Sequence, residues 1–419
     1  MEKHNRLLLS MFGNMLCQKE VTDFDNIEWK TFFKHISDMG IASLLYNTIF
    51  LLSSKTDIPN IVLEAWKQCA LTTGVRQAVA YHELEELFKI AQKNNLDLIV
   101  FKGIVLADLY EEPLLRSSCD ADLFIFEEQL DAMEEILRNR GYYYLEKSSK
   151  NHVKDYYLPN TLKIELHTRL WEDYDNEKIE ILEAEQLTNK DTFIDVQACD
   201  TRVKTLGYQQ HLIFQIFHIV KHISYLGMEW KSIIDLTLFI NQYQERLNFS
   251  EFWRVMKKLE YYYFVQWLFQ CLIKYFGLTE KVFLEEKMME IDDIDEMFEK
   301  LIESGIYKSA QGKDYYAANL AVFNSFYEKQ NNIEKSQVMR NNILPKAELL
   351  SERYAYAKKY SILLPIAWIH RALNYFVESL FMRKNKGLGK RIQIANKKIE
   401  LLDEMNLMNK EQKDGDKDG

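Results

Sequence analysis

Near residue 95 the hydrophobic pattern changes period, and near residue 205 it changes back. Before the first switch, Trp29–Ile36, Ala42–Leu52 and Ala78–Ala91 carry apolar residues at three- and four-residue spacing, the period of a helix with one buried face. Pro59 interrupts that pattern inside the polar stretch Ser53–Asn60. After the switch, Leu96–Phe101 reads as a short apolar strand that runs straight into Lys102-Gly103, a tight turn. Ile104–Tyr110 reads as a short helix stopped by Glu111-Glu112-Pro113, Asp120–Phe126 as a strand, and Gln129–Asn139 as a helix capped by Gly141. His152–Leu158 and Leu162–Leu170 flank Pro159-Asn160 and predict a hairpin. Beyond residue 205, helical spacing returns in Gln209–Ser224, Ser232–Tyr243, Glu251–Phe276 and Tyr354–Phe381, the last with a kink expected at Pro365.

These switches predict an α+β chain: a small mixed-sheet α/β core at 93–204, an N-terminal helical region at 1–92 and a larger C-terminal helical region at 205–409. Within the latter, acidic Glu285–Glu303 and polar Gly305–Asn332 read as a mobile connection, and the tail 410–419 as disordered.

Composition narrows the class. Five scattered cysteines without a CxxC pair argue against a disulfide framework or a cysteine zinc site, and for a reducing cytoplasm. The N-terminal MEKHNRLLLSMFGNML carries no small-residue cleavage site, and no apolar run reaches eighteen residues, so neither a signal peptide nor a membrane span is expected. A net charge of −10 disfavours non-specific binding to nucleic acid over the whole surface, while leaving room for a local basic site.

The chemistry concentrates in FKGIVLADLYEEPLLRSSCDADLFI. On a strand, side chains two apart share a face, so Asp120 and Asp122 project together. Two carboxylates on one face repel unless a cation lies between them. The hairpin strand Leu162–His167 puts Ile164 and Leu166 on one face and Lys163, Glu165 and His167 on the other. If that strand neighbours Asp120–Phe126, Glu165 joins the pair, and three carboxylates suit hard, oxygen-preferring Mg²⁺. Lys102 and Gly103 offer a charge and a close backbone approach for phosphate, and Arg116, Ser117 and Ser118 a second phosphate-seeking cluster. Each piece alone is also an ordinary surface feature: a solvated Asp-x-Asp, or Arg116 paired with Glu111 or Glu112. The ordered set is the specific signal.

That set resembles the uncharacterised nucleotidyltransferase family of the DNA polymerase β-like superfamily. The matching residues are Phe101-Lys102-Gly103, Tyr110, Pro113, Arg116, Asp120-Ala121-Asp122-Leu123 and Glu165-Leu166-His167, with Leu363–Arg371 similar to the family's C-terminal portion. The resemblance implies transfer of a nucleoside monophosphate from a nucleoside triphosphate to an acceptor, with ATP among the candidate donors. Asp120, Asp122 and Glu165 would bind two Mg²⁺ ions, Glu165 as ligand or general base. Lys102, Gly103 and Arg116, with Ser117 and Ser118 beside it, would hold phosphates. Lys-Gly stands where the wider superfamily has Gly-Ser, and Glu165 where it more often has Asp. A sugar, an antibiotic, a protein hydroxyl and an RNA end all fit as acceptor. The competing readings are a nucleotide-binding regulator that transfers nothing and an interaction protein of the membrane surface.

Other features carry two readings each. His218 and His222, four apart on a helix with Asp235 beyond, read first as core imidazoles, second as a metal pair. In a milder reading His222, Trp230 or Asp235 line the nucleotide cleft. His167 either orients the metal site or is an ordinary exposed histidine. Phe381–Ile399 holds Arg383, Lys384, Lys386, Lys390, Arg391, Lys397 and Lys398 without an acid. It reads first as a solvated helix face, second as a contact for a membrane surface or a protein.

Overall fold

In a computed structural model the chain is described at residues 3–145, 152–171, 176–186, 189–198, 201–225, 227–303, 356–357, 363–370 and 397–407. Two compact units are distinguished, one of residues 1–223, 227–308 and 405–407, the other of 224–226, 309–404 and 408–419. Of the expected helix Tyr354–Phe381 only residues 356–357 and 363–370 are described, almost all of them helical, while the polar stretch Gly305–Asn332, most of the basic segment Phe381–Ile399 and the tail 410–419 lie outside the described residues. No described helix is long and apolar enough to cross a membrane.

The first unit opens with four helices: α1 (Lys3–Cys17), α2 (Trp29–Asp38), α3 (Tyr46–Leu52) and α4 (Asn60–Lys93). Then come β1 (Ile99–Val100), α5 (Ile104–Ala107), β2 (Ala121–Phe124), α6 (Leu130–Asn139), β3 (Tyr143–Tyr144), β4 (Val153–Leu158), β5 (Leu162–His167), α7 (Asn176–Ala184), β6 (Phe193–Ala198) and β7 (Thr201–Leu206). Helices α8 (Tyr208–Tyr225), α9 (Trp230–Tyr243), α10 (Phe249–Lys258), α11 (Tyr262–Phe276) and α12 (Ile294–Glu303) complete it.

The seven strands form one sheet in the order β3-β4-β5-β2-β1-β7-β6. β2 runs parallel to β5 and β1 parallel to β7; the remaining pairs are antiparallel. The sheet is therefore mixed, as expected. The alternation in LKIELH fixes the register of β5: Ile164 and Leu166 are fully buried with Leu123 and Ile125 in the core beneath the sheet, against Leu84 and Leu87 of α4 and Met133 and Leu137 of α6. A one-residue slip would send Glu165 into that core and Ile164 out, so burial itself specifies which carboxylates share a face.

Several elements differ from expectation. The 251–276 helix is two helices, broken where Glu260 takes a positive φ of 59°. α4 is one continuous helix of 34 residues rather than a helix over 78–91 alone. Part of acidic Glu285–Glu303 is helical, because Met297, Phe298, Leu301 and Ile302 bury one face of α12. The hairpin β6–β7 extends the α/β core to Leu206. At the β7–α8 joint, a Cβ on Gly207 would lie 2.7 Å from the Thr192 carbonyl, so only glycine allows the chain to turn there.

Candidate active site

The parallel pairing of β2 with β5 sets Asp122 directly opposite Glu165. This is the juxtaposition on which the reading of the acidic residues depended. One ligand atom from each of Asp122, Glu165 and His167 lies within 4.8 Å of the others. Bonds of about 2.1 Å to one ion would bring any two ligands within about 4.2 Å, so small side-chain adjustments complete a coordination set. Asp120, immediately before β2, shares the field of this group without belonging to the tight triplet.

Each carboxylate but one has a basic neighbour. Lys102 Nζ is 3.1 Å from Asp122 Oδ2, and His167 Nε2 is 3.4 Å from Asp122 Oδ1. Lys163 Nζ bridges Glu165 at 2.6 Å and buried Asp155 at 3.2 Å. Burial opposes the charge on Asp122, but Lys102 and His167 outweigh it and hold the carboxyl well below the usual carboxylate range. Asp120 goes the other way: burial, then the charges of Asp122 and Glu165, push it up to about 6. A carboxyl displaced upward by its own neighbours is what a cation site looks like before the cation arrives.

Lys102 sits at the end of β1, where the chain turns through Gly103 at φ +63°. Nothing lies within 4 Å of a Cβ built on Gly103, so the glycine answers to backbone conformation and not to crowding. Burial works against the Lys102 charge, yet Asp122 and Asp120 keep its pKa raised, and it stays an ammonium. An ammonium only donates, so His218 Nε2, 2.9 Å away, accepts. His222 Nε2, 3.0 Å from the same atom, must then be the donor. Burial and the nearby Lys102 hold His218 well below its ordinary value, and burial brings His222 down to about 4. Glu229 lies 3.9 Å from His222 Nδ1 and 3.4 Å from Lys231. The histidines of α8, read from sequence chiefly as core packing, are the support of Lys102. The 3.6-residue period revealed that they share a helix face, but not what faces them.

Arg116, expected to hold phosphate, is buried and engaged with Asp235 through Nε at 2.8 Å and a second guanidinium nitrogen at 2.5 Å. Tyr110 donates to the same carboxylate at 2.7 Å. Asp235 thus closes a buried cluster and is not at the carboxylate site. Trp230 is buried and stacks on Phe12. The hydroxyls of Ser117 and Ser118 donate to the carbonyls of Gly40 and Asp120, at 3.0 and 2.7 Å. Ser118 therefore fixes the backbone that carries Asp120.

Residues 25–277, more than half of the chain, match the family described as "Uncharacterised nucleotidyltransferase", and the chain belongs to that family. Among solved structures it is similar to an antigenic nucleotidyltransferase-like protein from Paracoccidioides brasiliensis, with 15% identity and a TM-score of 0.32 over 52% of this chain and 96% of that one. It is also similar to a tRNA-processing enzyme in an apo form, with 13% identity and a TM-score of 0.23 over 79% of this chain and 98% of that one. No curated protein matches the chain.

Proposed function

We propose that the protein transfers a nucleoside monophosphate from a nucleoside triphosphate to an acceptor hydroxyl in a Mg²⁺-dependent reaction that releases pyrophosphate. The observation that carries this reading is Asp122 facing Glu165 across neighbouring strands, with Asp120 in the same field. The fit to a cation rests on two features of these residues: the upward push on Asp120 and the buried Nε2 of His167, which makes no hydrogen bond.

Asp120, Asp122 and Glu165 would hold Mg²⁺, with room in the ligand set for two ions. Bound there, the metal supplies charge neutralisation on the triphosphate and a lower pKa for the attacking hydroxyl. Lys102, which neutralises Asp122 in the free protein, is placed to turn its ammonium to a phosphate oxygen, and Gly103 leaves its backbone open to one. The acceptor oxygen bonds to the α-phosphorus as the bond to the bridging oxygen breaks, and the electron pair leaves on pyrophosphate. The acceptor's proton passes to a site carboxylate. Most of the acceleration then comes from positioning and charge.

The test is pyrophosphate release from each of the four triphosphates in the presence of Mg²⁺ and a cell extract, with mass analysis of whatever gains a nucleotide. Loss of release in both Asp120→Asn and Asp122→Asn, with the fold retained, supports transfer. Calorimetric binding of ATP without any release from the unaltered chain would make it a nucleotide-binding regulator instead.

A further inference from the structure

The polymerase-like reading assigns metal binding to carboxylates alone, yet the group of ligand atoms that could share an ion among the described residues includes an imidazole. Asp122, Glu165 and His167 each place one ligand atom within 4.8 Å of the others. We propose that His167 is a direct metal ligand, and that its nitrogen shifts the site's preference from Mg²⁺ toward a first-row transition dication such as Mn²⁺. The inference rests on the proposed metal dependence of the site and adds the identity of the ion.

Three observations carry it. His167 is more than nine-tenths buried, and its Nε2 makes no hydrogen bond. Such an atom is costly to leave unsatisfied, by about 1–3 kcal/mol. Its nearest charged neighbour, Asp122 Oδ1 at 3.4 Å, is too far for a good hydrogen bond but at the separation of two adjacent ligands on one ion. The ring is also held in place. Phe101 packs against it edge-on with ring centroids 5.4 Å apart, and the peptide carbonyl of His167 accepts from Ile125 N at 2.9 Å. Strand geometry does the rest: His167 is two residues beyond Glu165 on the same face of β5, and β5 pairs in register with β2. A ring fixed by packing, with its nitrogen in no close hydrogen bond and near two carboxylates, becomes a two-oxygen, one-nitrogen donor set once a metal displaces any proton it carries.

The choice of ion follows from donor chemistry. Mg²⁺ strongly prefers oxygen ligands and gains little from imidazole. First-row transition dications accept nitrogen readily, with affinity rising from Mn²⁺ along the series. Replacing one oxygen donor by imidazole therefore favours them over Mg²⁺.

The experiment uses the full chain with Mn²⁺ alone as the probe, read by pulsed electron paramagnetic resonance. Directly bound imidazole gives a ¹⁴N coupling at Mn²⁺, and labelling the histidines with ¹⁵N should change it. The coupling should vanish in His167→Gln, with Mn²⁺ still bound by the carboxylates, and persist in His222→Gln. In calorimetry the unaltered chain should bind Mn²⁺ more tightly than Mg²⁺. His167→Asp, with an all-oxygen set, should narrow that ratio. Bound Mn²⁺ without ¹⁴N coupling, or coupling that survives His167→Gln, overturns the imidazole ligand and leaves the proposed transfer reaction standing. Failure of Mn²⁺ to bind overturns the inference outright, while pyrophosphate release with Mg²⁺ would still uphold the transfer. Because the spectrum of the unaltered chain decides the first point, a variant that fails to fold does not rescue the proposal.

Discussion

Two polar clusters lie in the same compact unit, and their charges balance differently. In the Arg116–Asp235–Tyr110 cluster one guanidinium meets one carboxylate through two hydrogen bonds, and a phenol donates a third to it. All three residues are buried, and the charges cancel. In the β2–β5 cluster four carboxylates, Asp120, Asp122, Asp155 and Glu165, face two lysines, Lys102 and Lys163. Two negative charges are left over, and Asp120 registers the surplus in its raised pKa. A closed cluster holds elements together; an open one is arranged for something that arrives. Arg116 would have to abandon Asp235 to hold a phosphate, whereas Lys102 would leave Asp122 to a cation that replaces it.

The widest separation between the clusters should appear in activity. Asp122→Asn removes the carboxylate opposite Glu165 and should reduce nucleotidyl transfer on the order of a thousandfold, about 4 kcal/mol in the barrier. Its melting temperature should fall, because Lys102 loses its paired carboxylate, but by less than in Arg116→Ala, since Asp120 and Glu229 still lie in the field of Lys102. Arg116→Ala should do the reverse in kind. It strands Asp235 in a buried site, and breaking a buried pair costs about 3–5 kcal/mol. Chemical denaturation should show that loss, and Arg116→Met combined with Asp235→Leu should recover a large part of it. Equal losses of stability in Asp122→Asn and Arg116→Ala would erase the distinction between open and closed.

The sequence exposed one of these clusters far better than the other. Strand alternation put Asp120 and Asp122 on one face, and Glu165 on the polar face of the hairpin strand, because a period of two leaves little freedom once one face is apolar; that the hairpin strand lies beside β2 stood only as a condition, which the parallel pairing meets. Arg116 had nearby acids at 111 and 112 as apparent partners. Its true partner is more than a hundred residues away on α9, and long-range pairing of single charges leaves no periodic trace. The same holds for Lys102 and His218, 116 residues apart. The break at Glu260 escaped notice because apolar spacing continues across it; a non-glycine residue at positive φ has no composition signal.

His211 belongs to neither cluster but supports the strand end that carries Lys102. It is buried, hydrogen-bonds the backbone of Phe101, and is held by burial at about 4. Its folded pKa lies below the unfolded value near 6.5, so the unfolded chain binds the proton first. The stability involved is whole above pH 6.5 and drains away as the pH falls toward 4, by roughly 3 kcal/mol. Urea midpoints compared at pH 7 and pH 4.5 should show the decline, and His211→Gln should flatten it. An equally steep decline in that variant would assign the acid sensitivity to the open cluster instead.

Asp120 gives the finest test of surplus charge. Burial and the neighbouring carboxylates raise it to about 6 from an ordinary value near 4. For an acid displaced upward, the unfolded chain ionises first, so the folded state is penalised above pH 6 and unpenalised below the ordinary value. Asp120→Asn removes that penalty. At pH 7 without metal the variant should be more stable than the unaltered chain, on the order of 2 kcal/mol, and the advantage should fade as the pH drops toward 4. Added Mg²⁺ should reverse the order, because only the unaltered chain gains the full ligand set. A variant that is less stable at every pH, with or without the ion, would mean that Asp120 has a fixed structural partner and that the cluster is closed after all.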